Sequence, residues 1–66
     1  MQPEEIIADV CSQHRITLDL LRSQRRSREL TAARRECINR LHRAGVRKNH
    51  IAKLLNRDHA AILYHL

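Results

Sequence analysis

Apolar positions along this chain recur at helical spacing. Ile6, Ile7, Val10 and Cys11 open the series, three and four apart as one face of a helix requires. Pro3 suits a first helical turn, and Glu4 and Glu5 suit its positive end. These positions predict a helix from about Pro3 to His14. Thr17 is placed to cap a short second helix carrying Leu18, Leu20 and Leu21, with Asp19 near its start.

The stretch RSQRRSREL breaks the pattern. Only Ser and Gln separate Arg22, Arg25, Arg26 and Arg28. Like charges this dense, with no apolar stripe, predict an exposed loop or frayed helix end over Gln24 to Arg28. Glu29 then opens a long helix to Ala44, with Leu30, Ala33, Cys37, Ile38, Leu41 and Ala44 as its apolar arc. Gly45 is its left-handed stop. Arg34 falls inside that arc. Either it snorkels out or pairs with an acid such as Asp19, or it contacts a phosphate beside the basic loop.

The last twenty residues follow another rhythm. Ile51, Ala52, Leu54 and Leu55 make a short amphipathic helix, a turn follows at Asn56 and Arg57, and Ile62 and Leu66 face inward from one more helix. Asn tolerates the left-handed backbone such turns need. The small Ala52 lets the two helices cross closely, giving the layout of a helix-turn-helix. The last helix begins NRDHAA, polar where a packing helix wants apolar residues. In a DNA-binding helix-turn-helix those positions enter the major groove. Asp58 has two roles open to it: N-cap of that helix, and acceptor for a cytosine amino group.

Composition narrows the fold. At 66 residues the chain makes one domain at most, spanning 1–66. One Gly and one Pro are too few turn-formers for an all-β fold, and without Trp or Phe the core is aliphatic. The expectation is a small all-α domain of about five short helices.

Charge narrows the partner. The net charge is +6, and every Lys and Arg lies between Arg15 and Arg57. A concentrated basic charge, mostly Arg with its planar fork, points to a polyanion. Scarce aromatics argue against single-stranded RNA, which is read by stacking. No stretch is long and apolar enough for a bilayer and no signal segment is present, so the expected location is cytoplasmic, at the nucleoid, with no membrane partner. Cys11 and Cys37 fall on apolar faces and act as small hydrophobes. A zinc site is not expected: Cys37 and His42 are five apart on a helix and face apart, and Cys11 with His14 supplies only two of four ligands. No nucleophile–base set, paired carboxylates or phosphate-cradling glycines occur, which argues against an enzyme, a cofactor or a small-molecule substrate.

Two segments carry a resemblance: DLLRSQRRSRELTAARRECINRL and IAKLLNRDHAAIL. Together they resemble the C-terminal DNA-binding domain of the bacterial replication initiator DnaA, with its basic loop, the helix after it, and a signature built on Arg-Asp-His. With the acidic first helix the resemblance covers nearly the whole chain. It implies a helix-turn-helix of the DnaA C-terminal or Trp-repressor type. It also implies reading of an asymmetric A·T-rich box by a monomer: an arginine-rich loop in the minor groove and the last helix in the major groove. On that basis Arg25, Arg26 and Arg28 bind backbone and minor groove, Asp58, His59 and Ala60 face the major groove, and Arg34, Lys48, Lys53 and Arg57 touch phosphate. The chain departs from the family at Ala60 and Ala61, where threonines are usual, and at Asn56, where Gly is usual. The turn is also one residue shorter. No Gly-x-x-x-x-Gly-Lys-Ser/Thr phosphate loop accompanies the domain. The competing expectation is a small basic regulatory module, of phage or mobile-element type, that binds an acidic protein or competes with a host initiator at its boxes.

Overall fold

A computed structural model describes residues 2–65. Five helices follow one another: α1 (Pro3–His14), α2 (Leu18–Arg22), α3 (Arg28–Arg43), α4 (Lys48–Leu54) and α5 (His59–His65). The fold is all-α, as the spacing of apolar residues predicts.

Each boundary has a local cause. Glu5 reaches back to accept the Gln2 backbone N–H at 3.3 Å at the start of α1. The Thr17 hydroxyl accepts the Leu20 N–H at 3.2 Å and caps α2. The Ser27 hydroxyl accepts the Leu30 N–H at 3.1 Å, so α3 starts at Arg28, one residue earlier than Glu29. Such caps satisfy helix N–H groups that have no partner within the helix.

Three helices stop in the same way. At the end of α1 the Arg15 N–H donates to Ser12 and the Ile16 N–H to Cys11. After α3 the Gly45 N–H donates to His42 and the Val46 N–H to Leu41, and after α4 the Asn56 N–H donates to Lys53 and the Arg57 N–H to Ala52. Each is a Schellman closure, which needs one left-handed residue. Arg15 (φ 56°), Gly45 (φ 90°) and Asn56 (φ 55°) supply it. Gly45 and Asn56 are in their expected roles; the left-handed Arg15 is not signalled by its residue type.

The core is aliphatic. Ile6, Ile7, Val10 and Cys11 of α1 meet Ala33, Cys37, Ile38 and Leu41 of α3, with Leu21, Ile51, Leu55 and Ile62 closing the cluster. Ile16, Val46 and Leu54 pack against its margin. Two expectations need correction. Ala44 is exposed, because α3 ends at Arg43 and the closure turns Ala44 away from the arc. Leu18 is 47% exposed, so α2 buries chiefly Leu21. Leu66 lies outside the described residues.

Outside the core, Arg40 of α3 bridges to Asp9 of α1 at 2.8 Å and to Glu36 at 3.6 Å, while His14 Nε2 lies 3.0 Å from Glu36 Oε1. No helix among the described residues is long and apolar enough to cross a membrane.

Candidate nucleic-acid interface

The arginine-rich segment leaves α2 at Ser23 and enters α3 at Arg28. Its backbone makes neither helix nor sheet, so its carbonyls near the core need donors from elsewhere. Arg34, one turn and a half into α3, provides them. Its Nε donates to the Leu21 carbonyl at 2.9 Å, Nη1 to Arg25 at 2.9 Å, and Nη2 to Ser23 at 2.9 Å and Leu20 at 3.2 Å. Four of the five guanidinium N–H groups are thereby used. Arg34 is only 7% exposed. Burial, and after it the charge of Arg57, holds its pKa below the ordinary value.

This corrects both expectations for Arg34. It neither snorkels outward nor pairs with Asp19, and its donors face the inside of the loop rather than a phosphate. The apolar arc located its side chain correctly; the acceptors come from α2 and the loop, nine to fourteen residues away in sequence, and helical spacing is blind to them.

The turn between α4 and α5 is fastened to the same place. Asn56 Nδ2 donates to the Arg22 carbonyl at 3.3 Å. Arg57 is half-buried, and its Nη2 donates to the Ser23 carbonyl that Arg34 also uses, while Nη1 reaches the Asn56 carbonyl at 3.1 Å. Ser23 itself is folded inward, its hydroxyl donating to the Leu20 carbonyl at 2.7 Å and accepting the Arg25 N–H at 3.3 Å. Ser23 and the side chain of Asn56 were not singled out from the sequence, where polar turn residues carry no mark of a long-range bond.

The other candidates are all exposed: Arg25 and Arg26 in the loop, Arg28 at the first position of α3, Lys48 and Lys53 on α4, and Asp58, His59 and Ala60 around the start of α5. They do not form one cluster. Arg26, Arg57 and Asp58 line a groove of about 600 Å³ between the basic loop and α5, with Tyr64 and His65 along its far wall. Lys53 joins Arg57 and Asp58 in a shallow neighbouring depression. Lys48 and His59 instead share a depression with His42 and Arg47 at the corner between α3 and α4. A helix advances about 100° per residue, so adjacent residues at its start serve different sides.

Asp58 precedes α5, and its carbonyl accepts the Ala61 and Ile62 N–H groups at 3.0 and 3.3 Å. Its carboxylate accepts no hydrogen bond among the described residues, so the side-chain cap expected of it is not formed. Tyr64 is 85% exposed and its ring meets His65 edge-on at 5.6 Å. Burial and the nearby Arg35 charge lower the pKa of His65.

No group of three or more His, Cys, Asp or Glu that could hold a metal ion occurs among the described residues. Cys11 and Cys37 are buried free thiols, and burial pushes Cys37 up to about 12. Set against protein-family models, curated proteins and solved structures, the chain matches none. The likeness to DnaA therefore rests on the quoted residues alone.

Proposed function

We propose that this chain is a sequence-specific double-stranded DNA-binding domain of the helix-turn-helix kind, reading one site through both grooves. The observation that carries the proposal is the fastening of the arginine-rich loop to the turn before α5, by Arg34, Asn56 and Arg57 acting on the carbonyls of Leu20 to Arg25. It keeps Arg26 and Asp58 on one groove, and so a cationic loop at a set distance from a polar helix start.

In this reading Arg25, Arg26 and Arg28 bind backbone and minor groove. Asp58, His59 and Ala60 face base edges in the major groove, where Asp58 accepts from a cytosine amino group and Ala60 touches a thymine methyl. Lys48 and Lys53 neutralise phosphates on the two sides of the turn. The DnaA-like motifs support an asymmetric site bound by a monomer, at the nucleoid in the cytoplasm. Ala60 and Ala61 in place of threonines give up a hydroxyl contact while keeping a methyl that meets a thymine methyl.

Fluorescence anisotropy tests this with an initiator-box duplex and a scrambled duplex of equal length, each at two salt concentrations. A box preference that survives higher salt is the expected result. Equal, steeply salt-dependent binding to both would mean phosphate contact without base reading. A second reading, an acidic protein partner, draws on Leu63 and Tyr64, which α5 leaves 45% and 85% exposed. Absence of binding to either duplex would favour it.

A further inference from the structure

We infer that Arg57 is a positioning residue: a latch that sets the basic loop against α5 by donating to the Ser23 carbonyl, rather than a contact to phosphate. The inference deepens the DNA-binding reading and rests on it for its consequence, but the latch itself is a property of the free protein.

Arg57 follows the left-handed Asn56, in the position where the other two closures carry apolar residues. Ile16 and Val46 there pack against the core. Arg57 instead is half-buried and extends its guanidinium across to the loop root. One nitrogen takes the Ser23 carbonyl and the other the carbonyl of its own neighbour, Asn56. A guanidinium holding two carbonyls in a planar fork is fixed in direction. The fork is turned toward the protein.

The Ser23 carbonyl is the junction. It receives Arg34 from below and Arg57 from the side, and Asn56 holds the adjacent Arg22 carbonyl. Three side chains from two parts of the chain thus fix two successive peptide groups. The loop runs on from that point to Arg25 and Arg26, and the α4–α5 turn runs on to Asp58. Moving the Ser23 peptide moves the minor-groove arm relative to the recognition helix. Arg34 anchors the loop to α2 and α3; among the described residues, the hydrogen bonds that tie the loop root to the α4–α5 turn come from Asn56 and Arg57.

Arg57→Met keeps the apolar stem and removes the donors. In the free protein, amide hydrogen exchange is read for Ser23 and Arg25, whose N–H groups donate to the Leu20 carbonyl and the Ser23 hydroxyl, against Val10 and Ile38. Loss of a charged hydrogen bond gives a loop opening roughly tenfold more frequent, with the core amides unchanged. On duplex DNA the same variant loses box preference while its salt slope stays that of the parent. Unchanged loop exchange, or a slope shallower by about 0.9, the value of one phosphate, overturns the latch. Should Arg57→Met not fold, Arg57→Lys serves: it keeps the charge but not the fork, so a latch loses loop protection and a phosphate contact does not. Faster loop exchange in a protein that binds neither duplex upholds the latch and removes only the DNA reading.

Discussion

Replacing Arg34 by Met isolates what the buried guanidinium contributes. Met fills most of the stem's volume, so the change removes donors more than packing. Four carbonyls lose a partner, but unequally. Leu20 keeps the Ser23 N–H and hydroxyl, at 3.2 and 2.7 Å. Ser23 keeps Arg57. Arg25 lies on the exposed loop, where water can replace the donor. Leu21 is the costly one, since its bond to Arg34 is buried. An orphaned buried acceptor costs about 1–3 kcal/mol, and each further charged hydrogen bond adds a smaller net loss. Relief from keeping a guanidinium out of water acts in the opposite direction. The balance is a destabilisation of about 2–3 kcal/mol, which for a domain of this size lowers Tm by roughly 10–20 °C.

That is a large share of what so small a domain has, at about 0.05–0.15 kcal/mol per residue. Thermal unfolding followed by helical circular dichroism gives the shift, and urea unfolding checks that the m-value is unchanged. Arg34→Lys should fall between, because an ammonium reaches one or two of the carbonyls but cannot span them. A fall in Tm of less than about 3 °C for Arg34→Met would refute the assignment of Arg34 as the loop's internal anchor. The salt slope of DNA binding, measured where both proteins are folded, should match the parent; a shallower slope would return Arg34 to the phosphate contacts.

Three other outcomes follow from particular groups. Cys37 keeps its proton up to about 12 in the folded chain, against an ordinary 9.0; the unfolded chain loses it first, so the contribution is complete below pH 9.0 and is lost as pH rises toward 12. Urea unfolding across that range should therefore fall less steeply with pH in Cys37→Ala, and equal slopes would mean the thiol does not couple to folding. Arg15→Gly should stabilise by about 0.5–1 kcal/mol, since a left-handed non-glycine residue costs about 1–2 kcal/mol and glycine returns part of the gain through the entropy of its unfolded chain; an unchanged urea midpoint would show that Arg15 is unstrained. Asp58→Ala should reduce the ratio of box to scrambled affinity about tenfold or more, the range of one good base contact, whereas an equal loss on both duplexes would remove Asp58 from base reading.

Much of the helical frame was legible because it depends on local rules. Apolar spacing located α1, α3 and α4, Thr17 gave the start of α2, and Gly45 and Asn56 gave two of the three stops. Arg28 shares the loop's charge pattern yet belongs to α3, because Ser27 caps that helix as Thr17 caps α2. Arg15 was invisible because arginine carries no preference for the left-handed region. The sequence offers the candidate site as a list of residues and carries none of its geometry. Helical spacing shows that Arg34 points inward, not that four carbonyls wait there. Adjacency of Asp58 and His59 suggested one surface, and the start of α5 turns them onto two.

Arg34 and Arg57 are unusual together. Both approach one carbonyl, the charge of Arg57 raises the cost of keeping Arg34 charged, and the ion pairs among the described residues lie within α3 or join it to α1, involving neither of them. For stability alone an apolar residue at position 57, like Ile16 and Val46 at the matching positions, would avoid that cost. Places where a chain departs from its own repeated local rule are where function is to be sought. Here the departure does two things at once. It supplies donors to a loop that has no sheet or helix to bond with, and it makes the base of that loop positive from within. A loop built this way can present Arg25, Arg26 and Arg28 outward without an acidic residue to hold it in place, and an acid there would repel the phosphates that the loop is proposed to meet.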